Sequence, residues 1–416
     1  MNISYNNNPD YDVAIIGAGL VGSIQALMLA KQNFNVLLLD VTTQSVVKYL
    51  SSDDKVNMLL PPDLRMSAIT LKNQRLLHEL DIWTALEARF GLMQQAHIWD
   101  DNGPGEITFD SLKIGENNLA AIVENNLLLE IITNKIEKNT NISVLRPCQI
   151  KAIDKLPNNK SEIILEHNNR VSNYAVSLIV GADGAQSWVR NYFKFSIEQA
   201  DYNHTALVTN IYTEKPHHNI AYQVFLSEGP LALLPWYERN CCSIVWSQSK
   251  AQAEYLQQCN TETFLYELSR NTNYKLGNII DCQQRVTFPL KMLHVREYYK
   301  KGVVLIGDAA HSIHPLAGQG LNLGIYDAYE LTQTLAWAQR KNYSISHDSV
   351  LKKFQLRRKG HNQQVIDLMS AFKNIYSSDA QLPSLIRNLG MNVLDNTSFI
   401  KKRIMLYAAG LLDVIS

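Results

Sequence analysis

Charge of one sign is missing from this 416-residue sequence: 39 Lys and Arg balance 39 Asp and Glu. No net field therefore draws in nucleic acid or an anionic membrane. Cysteine is scarce, with five residues (Cys148, Cys241, Cys242, Cys259, Cys282), an odd number with no CxxC spacing. That excludes a zinc ribbon and argues for a reduced, cytosolic setting without a disulfide framework. No apolar run approaches the ~20 residues of a membrane span. The opening MNISYNNNPDYD lacks the basic and apolar regions of a signal peptide. These absences describe a protein that is soluble, or that rests on a membrane without crossing it. Repeats, low-complexity linkers and any Ser/His/Asp or Cys/His nucleophile set are also missing. The balance, 46% hydrophobic and 19% charged, is globular, and the length allows more than one folding unit.

The stretch YDVAIIGAGLVGSIQALMLAKQNFNVLLLD supplies the first positive signal. DVAII and NVLLLD read as buried parallel strands, and GSIQALMLAKQ between them has helical spacing. Gly17, Gly19 and Gly22 form GxGxxG at the junction of strand and helix. Asp40 ends the second strand, 23 residues after Gly17. In that context the motif reads as a dinucleotide site. Gly17 permits the tight turn, Gly19 admits a pyrophosphate to the backbone, and Gly22 lets the helix pack on the strand. The N–H groups of Leu20, Val21 and Gly22 face the anion. Asp40 would take ribose hydroxyls, which disfavours a 2′-phosphate and leaves NAD and FAD open.

Downstream, residues 41–69 read as irregular, 70–90 as a helix, and IVENNLLLEIITNKIEKN as another. From about residue 195 to 288 short strand candidates follow one another (HTALVTNIYT, IAYQVFL, LALLPW, CCSIVWSQ), interrupted by one helix, AQAEYLQQCNTETFLYELSR. GVVLIGD then restores the parallel-strand character. The expected fold class is α/β: a discontinuous Rossmann-like domain from 1–193 and 289–345, with part of 70–110 on the substrate side. A β-rich domain, 194–288, is inserted, and 346–416 form a helical C-terminus. Cys241-Cys242 read as core strand residues, His217-His218 as an exposed loop, and FIKKRIMLYAAGLL as an amphipathic helix packed on the body.

GDAAHSIHPLAGQGLNLGIYDAYEL, residues 307–331, places Asp308 at a second glycine-bearing strand end. A helix with Pro315 and two glycines near its N-terminus follows. Zinc on His311 and His314 is a poor reading, since no Cys or carboxylate cluster completes a ligand set. No metal is expected.

GxGxxG at 17–22, GADG at 181–184 followed by Arg190, and Gly307-Asp308, in that order, resemble the three signatures of single-component FAD-dependent aromatic hydroxylases, the p-hydroxybenzoate hydroxylase class. HPLAGQGLNLGIYD is similar to the pattern of the ubiquinone-biosynthesis hydroxylases of the UbiH/UbiF/VisC type. DLRMSAI, IVENN, LALLPW and the tail RNLGMNVLDNTSFIKKRIMLYAAG extend the resemblance over nearly the whole chain. One departure is Asn126, where relatives carry Arg. The resemblance implies FAD on Gly17–Gly22 and Asp40, with Arg65 near the phosphates, Asp183 near the pyrophosphate and Asp308 on the ribityl chain. The backbone of Gly318, Gln319, Gly320, Leu321 and Asn322 would face the N1/C2=O edge of the flavin, and Pro315 its reacting face. A helix terminus is worth roughly 0.3–1 kcal/mol, up to ~2 when partly buried, about one pKa unit toward the anionic reduced flavin.

The implied reaction uses O2 and a transient NADPH or NADH. A flavin C4a-hydroperoxide would pass its distal OH to the ring of a polyprenyl phenol, the cofactor carrying the hard chemistry. A single fingerprint leaves the reductant no domain of its own. Other quinone-synthesis proteins would be partners, and the setting cytoplasmic, peripheral to the inner membrane. The alternatives are an FAD hydroxylase of a water-soluble aromatic, or a flavin-binding scaffold subunit of a quinone-synthesis complex.

Overall fold

The computed structural model describes residues 10–43, 49–50, 56–58, 60–101, 103–157, 159–312, 319–376 and 398–411. The chain begins with β1 (Tyr11–Ile16), α1 (Leu20–Lys31) and β2 (Val36–Leu39). α1 is buried from Gly22 to Ala30, because α4 and α8 pack on it; a helix apolar on all sides is an interior one. β3 (Met66–Thr70) runs into α2 (Leu71–Glu79), followed by α3 (Trp83–Leu86), β4 (Gly91–Met93), β5 (Gln95–Asp100) and β6 (Glu106–Asp110). A 3-10 turn at Ser111–Ile114, capped by Asp110, leads to β7 (Ala120–Glu124) and α4 (Asn125–Glu137). Next come β8 (Ile142–Leu145), β9 (Cys148–Lys155), β10 (Ser161–His167), β11 (Arg170–Gly181) and α5 (Trp188–Tyr192).

The β-rich stretch holds β12 (Ile197–Thr213), β13 (Ile220–Leu226), β14 (Gly229–Pro235) and β15 (Cys241–Ser249). α6 (Lys250–Gln258), α7 (Thr261–Asn271), β16 (Ile279–Cys282) and β17 (Val286–Val295) follow. β18 (Tyr299–Lys300), β19 (Val303–Leu305) and β20 (His311–Ser312) precede, among the described residues, α8 (Gln319–Arg340), α9 (Asp348–Tyr376) and α10 (Ser398–Ala408).

Among the described residues these strands make three sheets. The first runs β18-β19-β11-β1-β2-β8, with β10 and β9 extending from β11. Its centre is parallel: β1 pairs with both β2 and β11, and β11 with β19. The second runs β20-β17-β12-β15-β14-β13-β5-β6, with β16 on β12; it is antiparallel except where β13 meets β5. β3, β7 and β4 form the third. The larger core fills the first sheet and its helices, and a second core lies between one face of the second sheet and α6 and α7.

Four expectations need correction. Ala120–Glu124 is strand, not the start of a helix, because its apolar run is buried between β3 and β4. Met66–Thr70 is strand within the stretch read as irregular. The helix expected over 251–270 is two, since the Asn260 side chain caps Thr263 N at 2.8 Å and starts α7 afresh. His217 is buried, with Nε2 between the carbonyls of Trp236 (2.9 Å) and Glu238 (3.1 Å), while His218 alone is exposed. Cys241 and Cys242 are buried on β15, and burial pushes their thiols up, that of Cys241 to about 12.

Candidate active site

Parallel strands deliver their carboxyl ends to one edge of a sheet. The register aligns Ile16 with Leu39 on one side and with Gly181 on the other, and Gly181 with Leu305. The residues that follow, Gly17, Asp40, Asp183 and Asp308, therefore stand at neighbouring strand ends although the chain separates them by up to about 290 positions.

Gly17 turns with φ +109°, and a Cβ there would lie 2.4 Å from the Ala182 carbonyl oxygen. Glycine is required there on both counts. At Gly22 a Cβ would meet the Gly17 oxygen at 1.9 Å, so α1 rests directly on the turn. Gly19 differs: a Cβ there meets nothing within 4 Å. Gly19 is also the N-cap of α1 and offers no side-chain bond, so the first N–H groups of the helix, at Leu20, Val21 and Gly22, have no intrahelical partner. Val21 reaches across to Gly307 and Gly324, whose Cβ positions would lie 3.2 and 2.6 Å from its methyls. The loop after β1 and the loop after β19 thus touch.

Three carboxylates line this edge. Asp40 accepts from Ala18 N at 2.6 Å through one oxygen and from Thr42 N and Oγ1, both at 2.7 Å, through the other. Asp183 accepts from Val189 N at 3.0 Å, while its Oδ1 is buried without a partner. Asp308 is exposed, yet protein crowds it enough that burial raises its carboxyl pKa, with Asp327 adding to the rise and His311 opposing it.

Two buried groups fix the loops. Arg190 donates to Ala185 O (2.7 Å) and to Ala309 O (3.0 Å), stitching the GADG loop to the 307–309 turn. Asp327 accepts from Gly307 N (3.0 Å), His311 Nε2 (2.5 Å), Arg358 Nε (2.7 Å) and Asn362 Nδ2 (3.1 Å). Desolvation pushes its carboxyl up, but His311 and Arg358 outweigh that and hold it well below the usual carboxylate range. Tyr298 and His294 extend the network to Gln363, through 2.9 and 2.8 Å bonds.

The remaining expected site residues are more varied. Arg65 is exposed at the head of β3 with its guanidinium 4.6 Å from the centre of the Phe288 ring. Asn126 donates its backbone N–H to Asp63 at 3.0 Å. Gly320 has open space at its Cβ position, and Leu321 packs against the core. Asn322 turns its side chain inward, donating to Ala68 O (2.7 Å) and accepting from Thr70 N (3.0 Å) and Asn73 Nδ2 (2.9 Å), and its carbonyl accepts from Asn73 Nδ2 at 3.1 Å. Gln319 begins α8. His314, Pro315 and Gly318 lie outside the described residues. Among the described residues no cluster of His, Cys, Asp or Glu could hold a metal ion, and no helix is long and apolar enough to cross a membrane.

Arg89 was not legible in the sequence. It is fully buried, pairs with Glu124 at 2.6 Å, and donates to the carbonyls of Asn57 (2.8 Å) and Leu60 (2.6 Å). It lies within a cage of Tyr49, Trp236 and Tyr237. Glu124 in turn holds Asp63 N at 2.7 Å. This latch shapes the segment that leads into Arg65.

The donor set suits an adenine dinucleotide: an open glycine at a helix N-terminus for the pyrophosphate, acids at neighbouring strand ends for hydroxyls, and an unpartnered Asp183 oxygen between them. A family model described as FAD binding domain matches residues 110–369. The chain is 29% identical to the 3-demethoxyubiquinol 3-hydroxylase of Escherichia coli (strain K12), over 97% of this chain and 100% of that protein. It is 28% identical to the mitochondrial ubiquinone biosynthesis monooxygenase COQ6 of Homo sapiens, over 96% of this chain and 92% of the relative. Its fold is shared with p-nitrophenol 4-monooxygenase PnpA from Pseudomonas putida DLL-E4, at TM-score 0.76 and 16% identity, covering 98% of this chain and 99% of that one. PqsL from P. aeruginosa, in complex with 2-aminobenzoylacetate, superposes at TM-score 0.76 and 19% identity, covering 92% and 100%.

Proposed function

The chain belongs to the FAD binding domain family, and we propose that it is an FAD-dependent monooxygenase that hydroxylates the aromatic ring of a polyprenylated phenol in ubiquinone biosynthesis. The reading rests above all on the convergence of Gly17, Asp40, Asp183 and Asp308 at one sheet edge, joined through Val21. The ubiquinone hydroxylases and monooxygenases that match over 96–97% of the chain support the substrate class.

FAD, when bound, supplies the hydride acceptor and the site of oxygen activation. The protein's part is to bind, orient and exclude water. The α1 N-terminus and Gly19 receive the pyrophosphate, and Asp40 takes the adenosine ribose. Asp183 would stand near the diphosphate at the neighbouring strand end, and Asp308 would accept from the ribityl hydroxyls. The first turn of α8, at Gln319–Asn322, would present backbone N–H groups toward the ring edge, with Arg65 bordering the same site. Residues 1–193 and 289–345 supply the cofactor domain, and 194–288, with β5, β6 and β17, which belong to the same second sheet, the cover that keeps water from the reacting centre.

The reaction consumes one O2 and one NADPH or NADH. One oxygen atom enters the ring as hydroxyl and the other leaves as water. The protein works from the cytoplasm in no more than peripheral contact with the inner membrane. The test is direct. Purified protein should be yellow, with flavin absorbance bands. With NAD(P)H and a prenylated phenol in detergent it should yield a product one oxygen atom heavier by mass spectrometry. A colourless protein that takes up no FAD would defeat the proposal, as would flavin-loaded protein that hydroxylates no phenol.

A further inference from the structure

We infer that α10 and the Ser111–Ile114 turn together form a docking surface for an anionic lipid bilayer; this rests on the membrane-dissolved substrate proposed above. α10 turns Lys401 and Met405 inward, each 3% exposed, and leaves Phe399 69%, Ile400 45% and Ile404 37% exposed. The helix packs on the 111–114 turn, and Lys401 reaches Phe109 just before it, 6.0 Å from the ring centre. Leu112 on that turn is 77% exposed. Four large apolar side chains from two distant parts of the chain thus share one surface.

Cations are interleaved with them. Lys113, Lys402 and Arg403 are exposed, and the Arg403 guanidinium stands 6.0 Å from the Phe399 ring centre. α10 contains no acidic residue. The acids beside the turn are engaged, Asp110 as its cap and Glu116 with Arg75 at 2.8 Å. The chain as a whole has zero net charge, so this positive character is local. Large apolar groups flanked by Lys and Arg on a helix too short to span are the composition of an element lying in the lipid interface.

The placement also serves the reaction. Past α10, Ala409 O accepts from Lys72 N at 3.2 Å. Thr70, two residues earlier, holds Asn322 on the first turn of α8. The C-terminal end of α10 is thus linked through Lys72 and Thr70 to the first turn of α8, which suits a phenol whose prenyl tail remains in the bilayer.

The experiment is co-flotation of the full-length holoprotein with vesicles of phosphatidylcholine alone or mixed with phosphatidylglycerol. Binding is expected to the mixed vesicles and to weaken with salt. The charge-reversing pair K402E and R403E should lower partitioning by about fivefold per cation, and F399E with I404E by at least about tenfold. All variants should keep bound FAD and hydroxylate a short-chain, water-soluble phenol at the wild-type rate, a readout that separates failure here from failure of the enzymatic reading. Equal binding to both vesicle types, or wild-type partitioning by the F399E/I404E protein, would overturn the inference. Absence of vesicle binding would overturn it too and leave the face to a protein partner.

Discussion

Two glycines three residues apart give opposite expectations for the free protein and the cofactor. At Gly19 a Cβ has nothing within 4 Å, and φ −72°, ψ −174° is backbone that any residue adopts. Gly19→Ala loses a slightly better N-cap but restricts the unfolded chain, so stability should stay within ~0.5 kcal/mol. At Gly22 a Cβ would lie 1.9 Å from the Gly17 oxygen and 3.2 Å from the Ala182 Cβ. The turn or the helix must move, and overpacking of that kind costs about 1–3 kcal/mol or more.

For FAD the order changes, because Gly19 is where the pyrophosphate is proposed to approach. Gly19→Asp sets a carboxylate beside it. Like charges about 4 Å apart at an effective dielectric near 20 repel by ~4 kcal/mol, which raises the FAD Kd about a thousandfold. Urea unfolding of deflavinated protein and titration of FAD by fluorescence quenching separate the two effects. Gly19→Asp should match the wild type in the first assay and fail in the second, whereas Gly22→Ala should fail in both. A Gly19→Asp protein that binds FAD with wild-type affinity would show that the pyrophosphate is not at the α1 N-terminus.

Arg89→Met strands Glu124 as a buried, unpaired carboxylate and should cost about 3–5 kcal/mol in urea unfolding; adding Glu124→Gln should recover part of it, and a loss under ~1 kcal/mol would contradict the latch. Arg190→Met removes the two bonds that join the GADG loop to the 307–309 turn. With charged hydrogen bonds worth about 1.5–3 kcal/mol each, roughly 3 kcal/mol of stability should go, together with FAD affinity; unchanged FAD binding would mean that the loops hold their places without it. His217 and His294 should make the protein acid-sensitive. Burial is the main cause that lowers both pKa values, so the unfolded chain binds protons first. Their contribution is complete above the unfolded value near 6.5 and declines as pH falls below it toward the lowered folded values. His294→Gln should flatten the fall in melting temperature between about pH 7 and 5, and an unaltered slope would count against the assignment.

What was legible in the sequence was what neighbours along the chain determine. β1, α1, β2 and Asp40 follow one another within one βαβ unit, where strand pattern, glycines and helix period all bear on the same thirty residues. The antiparallel strands β12 to β15 were legible for the same reason, each being an apolar run between turns, β-branched or aromatic in all but the leucine-rich β14. Arg89 and Arg358 were not. Arg358 lies in a helix and Arg89 in a stretch that reads as one, where a solvated side chain is the usual outcome, and what buries them is a carboxylate 35 or 31 positions away. His217 went the same way: its partners are the carbonyls of a turn two strands later. No local pattern encodes such pairs, because only the packed chain brings the partners together.

Asn322 shows how a side chain inside a ligand-binding motif can serve the fold while the backbone of the same turn is the part expected at the ligand. In GQGLNLG every residue looks directed at a ligand, since glycines and a polar residue crowd a helix start. Yet the Asn322 amide is taken up by Ala68 O, Thr70 N and Asn73 Nδ2, which ties the first turn of α8 to the junction of β3 and α2. That bonding fixes the turn in place. A polar side chain that left those partners for a flavin would leave a buried N–H and a carbonyl unpaired, at roughly 1–3 kcal/mol each. Asn322→Ala should therefore weaken FAD binding only through the disorder it causes in the turn. The sign of that mechanism is a loss of apoprotein stability of about 2 kcal/mol or more alongside any loss of affinity. A variant with full stability and poor FAD binding would instead make Asn322 a direct contact.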